Sequence, residues 1–237
     1  MTQELFLLLI TTVSIAFIHT LAGPDHYLPF IVIAKAKKWS LTKTAWFTAL
    51  CGIGHVGSSV ILGFIGIALG VAVGKLEFIE GIRGSIVSWV FTAFGMIYLV
   101  WGIKRAMKNK PHKHIHFHSD GSEHVHEHKH HDEHAHIHEK EYKINLTPWI
   151  LFSIFVLGPC EPLIPLVMYP AAKHNYNELT IVALIFSLVT IATMVTLVLI
   201  VSFGFKLLPL KTLDRYNHAL AGGSIFLCGM GMLFLGL

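Results

Sequence analysis

The chain has 237 residues, 54% of them apolar and only 14% charged, with a mean hydropathy of +0.62. A soluble domain carries about a quarter charged residues, so a water-soluble globule is excluded, and a formal charge of +4 is too small to imply nucleic acid. Cys51, Cys160 and Cys228 lie far apart in apolar runs, which excludes a disulfide framework and a paired-cysteine zinc or redox motif.

A membrane-spanning helix needs roughly 20 mostly apolar residues. Six such runs follow one another, at about 4–34, 45–74, 84–103, 146–170, 179–205 and 217–237. The first begins Met1-Thr2-Gln3-Glu4 without a basic segment, so it is read as a retained span rather than a signal peptide. Cationic residues set the orientation. Lys35, Lys37, Lys38 and Lys43, the basic residues of 104–143, and Lys206, Lys211 and Arg215 fall on one side, against Lys75, Arg83 and Lys173 on the other. That asymmetry puts both termini outside and the long middle loop in the cytoplasm of a prokaryotic plasma membrane.

The two halves resemble each other. Gly23-Pro24-Asp25-His26 interrupts the first run and Gly158-Pro159-Cys160-Glu161 the fourth. The third run holds Gly95-Met96-Ile97-Tyr98-Leu99-Val100-Trp101-Gly102, and the last repeats its Gly-Met-x-x-Leu-x-x-Gly pattern from Gly229 to Gly236. Three spans per half is odd, so a repeated half enters the membrane upside down. The expected fold is therefore an all-α polytopic membrane protein, six helices as two inverted three-helix repeats with the first helix of each broken. The first repeat covers 1–107, a histidine-rich, disordered cytoplasmic loop 108–143, and the second repeat 144–237.

Ionisable residues inside a span are costly and mark a functional site. His19, Asp25, His26, His55 and Glu161 are such residues, with Cys160 beside the last. No Lys or Arg lies in the apolar core of any run, so the two carboxylates need a proton, a histidinium or a bound cation. Imidazole, carboxylate and one thiol make a borderline ligand set suited to nickel, cobalt, copper, zinc or iron. Gly66, Gly70 and Gly74 continue a small-residue ridge in the second run that permits close helix approach.

Between the third and fourth runs stand His112, His114, His116, His118, His124, His126, His128, His130, His131, His134, His136 and His138, 12 of the 17 histidines. The loop has no apolar face to bury, so its His-x-His alternation is not read as a strand. It is read as an auxiliary metal-binding loop.

These residues resemble the nickel/cobalt transporter superfamily, which includes nickel–cobalt permeases, nickel/cobalt efflux proteins and urease-accessory membrane proteins. His19-Thr20-Leu21-Ala22-Gly23-Pro24-Asp25-His26, Gly54-His55 with Ser58-Ser59, and Gly158-Pro159-Cys160-Glu161 carry the resemblance, together with the histidine-rich loop. It implies a non-enzymatic divalent transition-metal transporter working by alternating access. Nickel or cobalt would be the substrate and export slightly favoured, with His19, Asp25, His26, His55, Cys160 and Glu161 as ligands. The partners are metal ions and the lipid bilayer, and homo-oligomer formation is left open. A zinc or iron transporter of the same design and a non-transporting metallochaperone for nickel-enzyme assembly are the alternatives. A thiol–disulfide membrane protein is a further one, since Gly-Pro-Cys also occurs in electron-carrying cytochrome-biogenesis proteins. Those need a second cysteine in the other half, where this chain has Asp25.

Overall fold

The computed structural model describes residues 3–108, 112–117, 123–128, 146–207 and 211–235. The first run is helix α1 (Gln3–Ala22), a three-residue 3-10 turn (Pro24–His26) and α2 (Leu28–Ala36). Long helices α3 (Leu41–Ala68) and α4 (Val73–Lys108) follow. The second half repeats the order with α5 (Leu146–Leu157), α6 (Leu163–Ala172), α7 (Tyr176–Leu207) and α8 (Asn217–Leu235). The membrane part is all-α, and α1, α3, α4, α7 and α8 are each long and apolar enough to cross a bilayer.

Proline explains why only the first helix of each half is broken. It has no N–H to donate and clashes with the carbonyl one turn back, so helix stops there. Pro24 and Pro29 flank the first break, and Pro159 and Pro162 the second. The chain recovers what bonds it can: the Gly23 amide donates to His19 O at 3.0 Å and the Leu163 amide to Cys160 O at 3.0 Å. Hydroxyls inside the spans turn inward to their own helices, as Thr12 does to Leu8 O and Thr20 to Ala16 O.

The halves pack with matching partners: α3 lies on α7 and α4 on α8, while α1 on α7 is answered by α5 on α3 and α2 on α8 by α6 on α4. The α4–α8 seam fixes their relative direction. A Cβ on Gly95 would overlap the backbone of Phe226, and one on Gly102 that of Ala219. Gly222 stands against Leu99 and Gly229 against Thr92 in the same way. As numbers rise along α4 they fall along α8, so the third helices of the two halves are antiparallel, as inverted repeats require. The small residues of the Gly-Met-x-x-Leu-x-x-Gly motifs serve this close approach.

Large apolar side chains face outward along the spans, among them Trp89, Ile97 and Leu188, a surface suited to lipid rather than water. Inside, one cluster gathers Phe30, Phe91, Leu151, Phe155 and Ile225, and a second Val56, Cys160, Leu163 and Phe186.

Two expectations change. Gly66, Gly70 and Gly74 do not form a packing ridge. Gly66 meets the Leu76 side chain, Gly70 has φ +66° in the turn that ends α3, and Gly74 has open space beside it. The histidine-rich loop contains strands β1 (His112–Phe117) and β2 (Glu123–His128), paired antiparallel, where neither strand nor order is expected from sequence. The period-2 alternation over His112–Phe117 and Glu123–His128 suffices for the strand pair. His118, His130, His131, His134, His136 and His138 lie outside the described residues.

Replacing Gly222 by Ala should destabilise the folded protein by about 1–3 kcal/mol through overpacking of the seam. The neighbouring Gly223→Ala, whose new methyl would sit at an ordinary 3.7 Å from Leu99, should be close to neutral. Thermal unfolding of both variants in detergent measures the difference.

Candidate functional site

The two breaks and the middle of α3 meet around a cavity of about 450 Å³, within the size range of small-ligand sites. His19 comes from the end of α1, Asp25 and His26 from the 3-10 turn, and His55 from the middle of α3; all four line the cavity. One ring nitrogen of each histidine lies within 4.8 Å of one from each of the others. The rings sit nearly perpendicular, with centroids 4.7 Å apart for His19 and His26 and 5.1 Å for His26 and His55.

Hydrogen bonds orient two of these rings. His26 Nδ1 lies 3.2 Å from Gly23 O and 3.1 Å from Asp25 Oδ1, and His55 Nδ1 lies 3.4 Å from Phe155 O. A carbonyl and a carboxylate can only accept, so Nδ1 carries the proton in both rings and Nε2 offers its lone pair when the ring is neutral. The Nε2 atoms of His19, His26 and His55 are all buried without a hydrogen-bond partner. Three clustered histidines, each with a buried unpartnered Nε2, stand beside a carboxylate and form a set that a cation would satisfy.

Four of the six residues expected as metal ligands are thus brought together: His19, Asp25, His26 and His55. Cys160 and Glu161 are not in the cluster. Cys160 is fully buried, and its amide donates to Ser59 Oγ at 3.0 Å and Glu80 Oε2 at 3.1 Å. Glu161 lines the same cavity but is exposed. The two breaks differ locally: the first continues as the 3-10 turn Pro24–His26, whereas in the second the Cys160 amide is held by Ser59 and Glu80.

Sequence reasoning missed Glu80 and Arg83. The third run starts at Val73, not at 84, so Arg83 stands inside a span rather than in an outer loop. Glu80 is fully buried and ion-pairs with Arg83. Ser59 donates to Glu80 Oε2 at 3.2 Å. Arg83 also donates to Ser58 Oγ at 2.8 Å, Gly158 O at 3.2 Å and Val156 O at 3.3 Å. The pair therefore collects the backbone groups that the second break leaves open and ties them to the turn of α3 after His55. Its signal in sequence is an acid and a base three apart, one helical turn, just before an apolar run.

Comparison with known proteins gives one family. The sequence model described as "Cytochrome C biogenesis protein transmembrane region" matches residues 29–233. Neither the curated proteins nor the solved structures contain a match. The match corrects the resemblance drawn from the motifs: the chain is not placed in the nickel/cobalt transporter superfamily. The function that resemblance implied, transport of nickel or cobalt with its zinc, iron and metallochaperone alternatives, is withdrawn with it. The misleading features were the short histidine motifs of the first break and of α3, with the histidine-rich loop, none of which identifies a family by itself. His19, Asp25 and His26 precede the matched residues, whereas His55, Cys160 and Glu161 lie within them. With most of its length matched, the chain belongs to the cytochrome C biogenesis protein transmembrane region family.

Removing one partner of a buried ion pair costs about 3–5 kcal/mol, because the other charge is left unpaired. Glu80→Gln and Arg83→Met should each lower stability by that order in detergent unfolding. The double variant should lose less than both losses together.

Proposed function

From membership in that family, we propose that the chain serves cytochrome c biogenesis as an integral membrane protein whose centre is a metal-binding site rather than a dithiol. A divalent transition-metal ion is held by His19, His26 and His55, with Asp25 both as a further oxygen donor and as the group that orients His26. The observation that carries this reading is the cluster of three histidines on one cavity, each with a ring nitrogen within 4.8 Å of the others and a buried Nε2 without a hydrogen-bond partner. Neutral imidazole is a ligand for late first-row ions, and a carboxylate that accepts from Nδ1–H sharpens that preference.

A thiol–disulfide role is the reading that the family favours, and Cys160 in the second break is the observation for it. The arrangement of cysteines speaks against it. Cys51, Cys160 and Cys228 are all free and buried, and the position matching Cys160 in the first break is Asp25.

The distribution of charge supports an orientation with both termini outside and the histidine-rich loop in the cytoplasm. Lys35, Lys43 and Arg105 lie over the rings of Phe205, Trp39 and Trp101 at 4.3, 5.1 and 5.3 Å. Burial and the nearby Lys43 and Arg105 lower the pKa of Lys37, which donates to Thr147 Oγ1 at 2.9 Å. A cationic and aromatic belt of this kind belongs at a cytoplasmic membrane interface. Impermeant thiol reagent on intact cells should fail to label a cysteine placed at Asp120 and should label it after lysis.

Element analysis tests the centre. Protein lacking residues 112–138 should retain about one transition-metal ion per chain, and His26→Ala or His55→Ala in that background should lose it. A folded, metal-free loop-deleted protein that takes up no added zinc would overturn the reading. Cytochrome c maturation separates the two readings in cells lacking the protein. The metal reading expects Cys160→Ser to restore maturation and His55→Ala to fail, and the thiol reading expects the reverse.

A further inference from the structure

The strand pair of the middle loop carries an arrangement that composition alone does not show. Its register sets His112 opposite His128, His114 opposite His126 and His116 opposite His124. Alternate residues of a strand fall on one face, and directly opposed residues share a face. All six histidine positions therefore lie on the same face of the hairpin. The other face takes Lys113 opposite Glu127, Ile115 opposite Val125 and Phe117 opposite Glu123.

We infer that this histidine face is a second metal site, independent of the one within the membrane, built for a late first-row divalent cation such as zinc. Opposed residues have Cβ atoms about 4.5–5.5 Å apart, and successive rows on one strand are about 6.6–6.8 Å apart. Two adjacent rows thus set four histidine positions side by side on one face, the number of ligands a tetrahedral zinc ion takes. Three rows give one complete four-ligand set and one pair to spare. The site also answers a stability question. A lone two-stranded hairpin is marginal in water, and an ion bound across the rows links β1 to β2. The acid–base pair and the apolar pair on the opposite face favour the same register.

The test separates a face from a mere abundance of histidine. Full-length protein carrying His26→Ala and His55→Ala, so that the membrane centre is silent, is titrated with zinc chloride by calorimetry in detergent. Exchanging His114 with Ile115 (H114I with I115H) keeps the composition and moves one imidazole to the opposite face. It should weaken the tightest zinc binding at least tenfold. Exchanging Lys113 with Ile115 (K113I with I115K) keeps every histidine on its face and should leave binding unchanged. If the two exchange variants behave alike, whether both bind as the parent does or both lose binding, the histidine face is not the site.

Discussion

A proline inside a bilayer leaves backbone groups that water cannot reach, and the rest of this molecule is arranged around that constraint. Lipid offers no hydrogen bonds, so irregular backbone survives only where protein or a polar cavity receives it. The two breaks are received differently. The first turns back on itself, with Gly23 bonded to His19 and His26 Nδ1 reaching Gly23 O. The second is closed only in part by local bonds, from the Gly158 amide to Phe155 O and the Leu163 amide to Cys160 O, and Ser59, Glu80 and Arg83 are brought in from α3 and α4 to complete it. Ser59 sits one turn after His55, and the His55 ring itself donates to Phe155 O just before the second break, so the second break and the histidine cluster share α3.

Scaffold and centre tell different stories. The scaffold is that of a cytochrome c biogenesis transmembrane region, matched from residue 29 onward. Three of the four residues of the centre lie before that point. Two broken helices facing one cavity provide a place where polar chemistry is tolerated, and they leave open which chemistry occupies it. Here imidazoles and a carboxylate fill the place, while the only cysteine at a break has its amide engaged by Ser59 and Glu80 in a packed cluster of apolar side chains.

The sequence discloses those features that depend on composition or on chain connectivity. Six apolar runs, the location of both breaks and the doubled Gly-Met-x-x-Leu-x-x-Gly motif can be read directly, since hydropathy and proline act locally. His19, Asp25, His26 and His55 can be read as a group because ionisable residues are rare in a span. What cannot be read depends on phase and on partners. Glu161 and Cys160 look equivalent to His26 and Asp25 by position, but Glu161 reaches the cavity at an exposed place outside the histidine cluster, and Cys160 is drawn into the packed cluster by Ser59 and Glu80. Glu80 and Arg83 look like the polar end of a loop, since each masks the charge of the other. The hairpin is overlooked because its alternation sets imidazole against a mixed face rather than against a conventional apolar one. The family itself is hidden from motif reading, because the conspicuous residues are those that the scaffold does not specify.

The glycine seam between α4 and α8 has a mechanical consequence. With four positions at which even a methyl group would strike the opposing backbone, the two helices have no slack along their shared line and act as a single beam. Ser88 and Phe91 of α4 and Met232 and Leu233 of α8 line the cavity, so this beam is one fixed wall of the space in which the histidine cluster is seated.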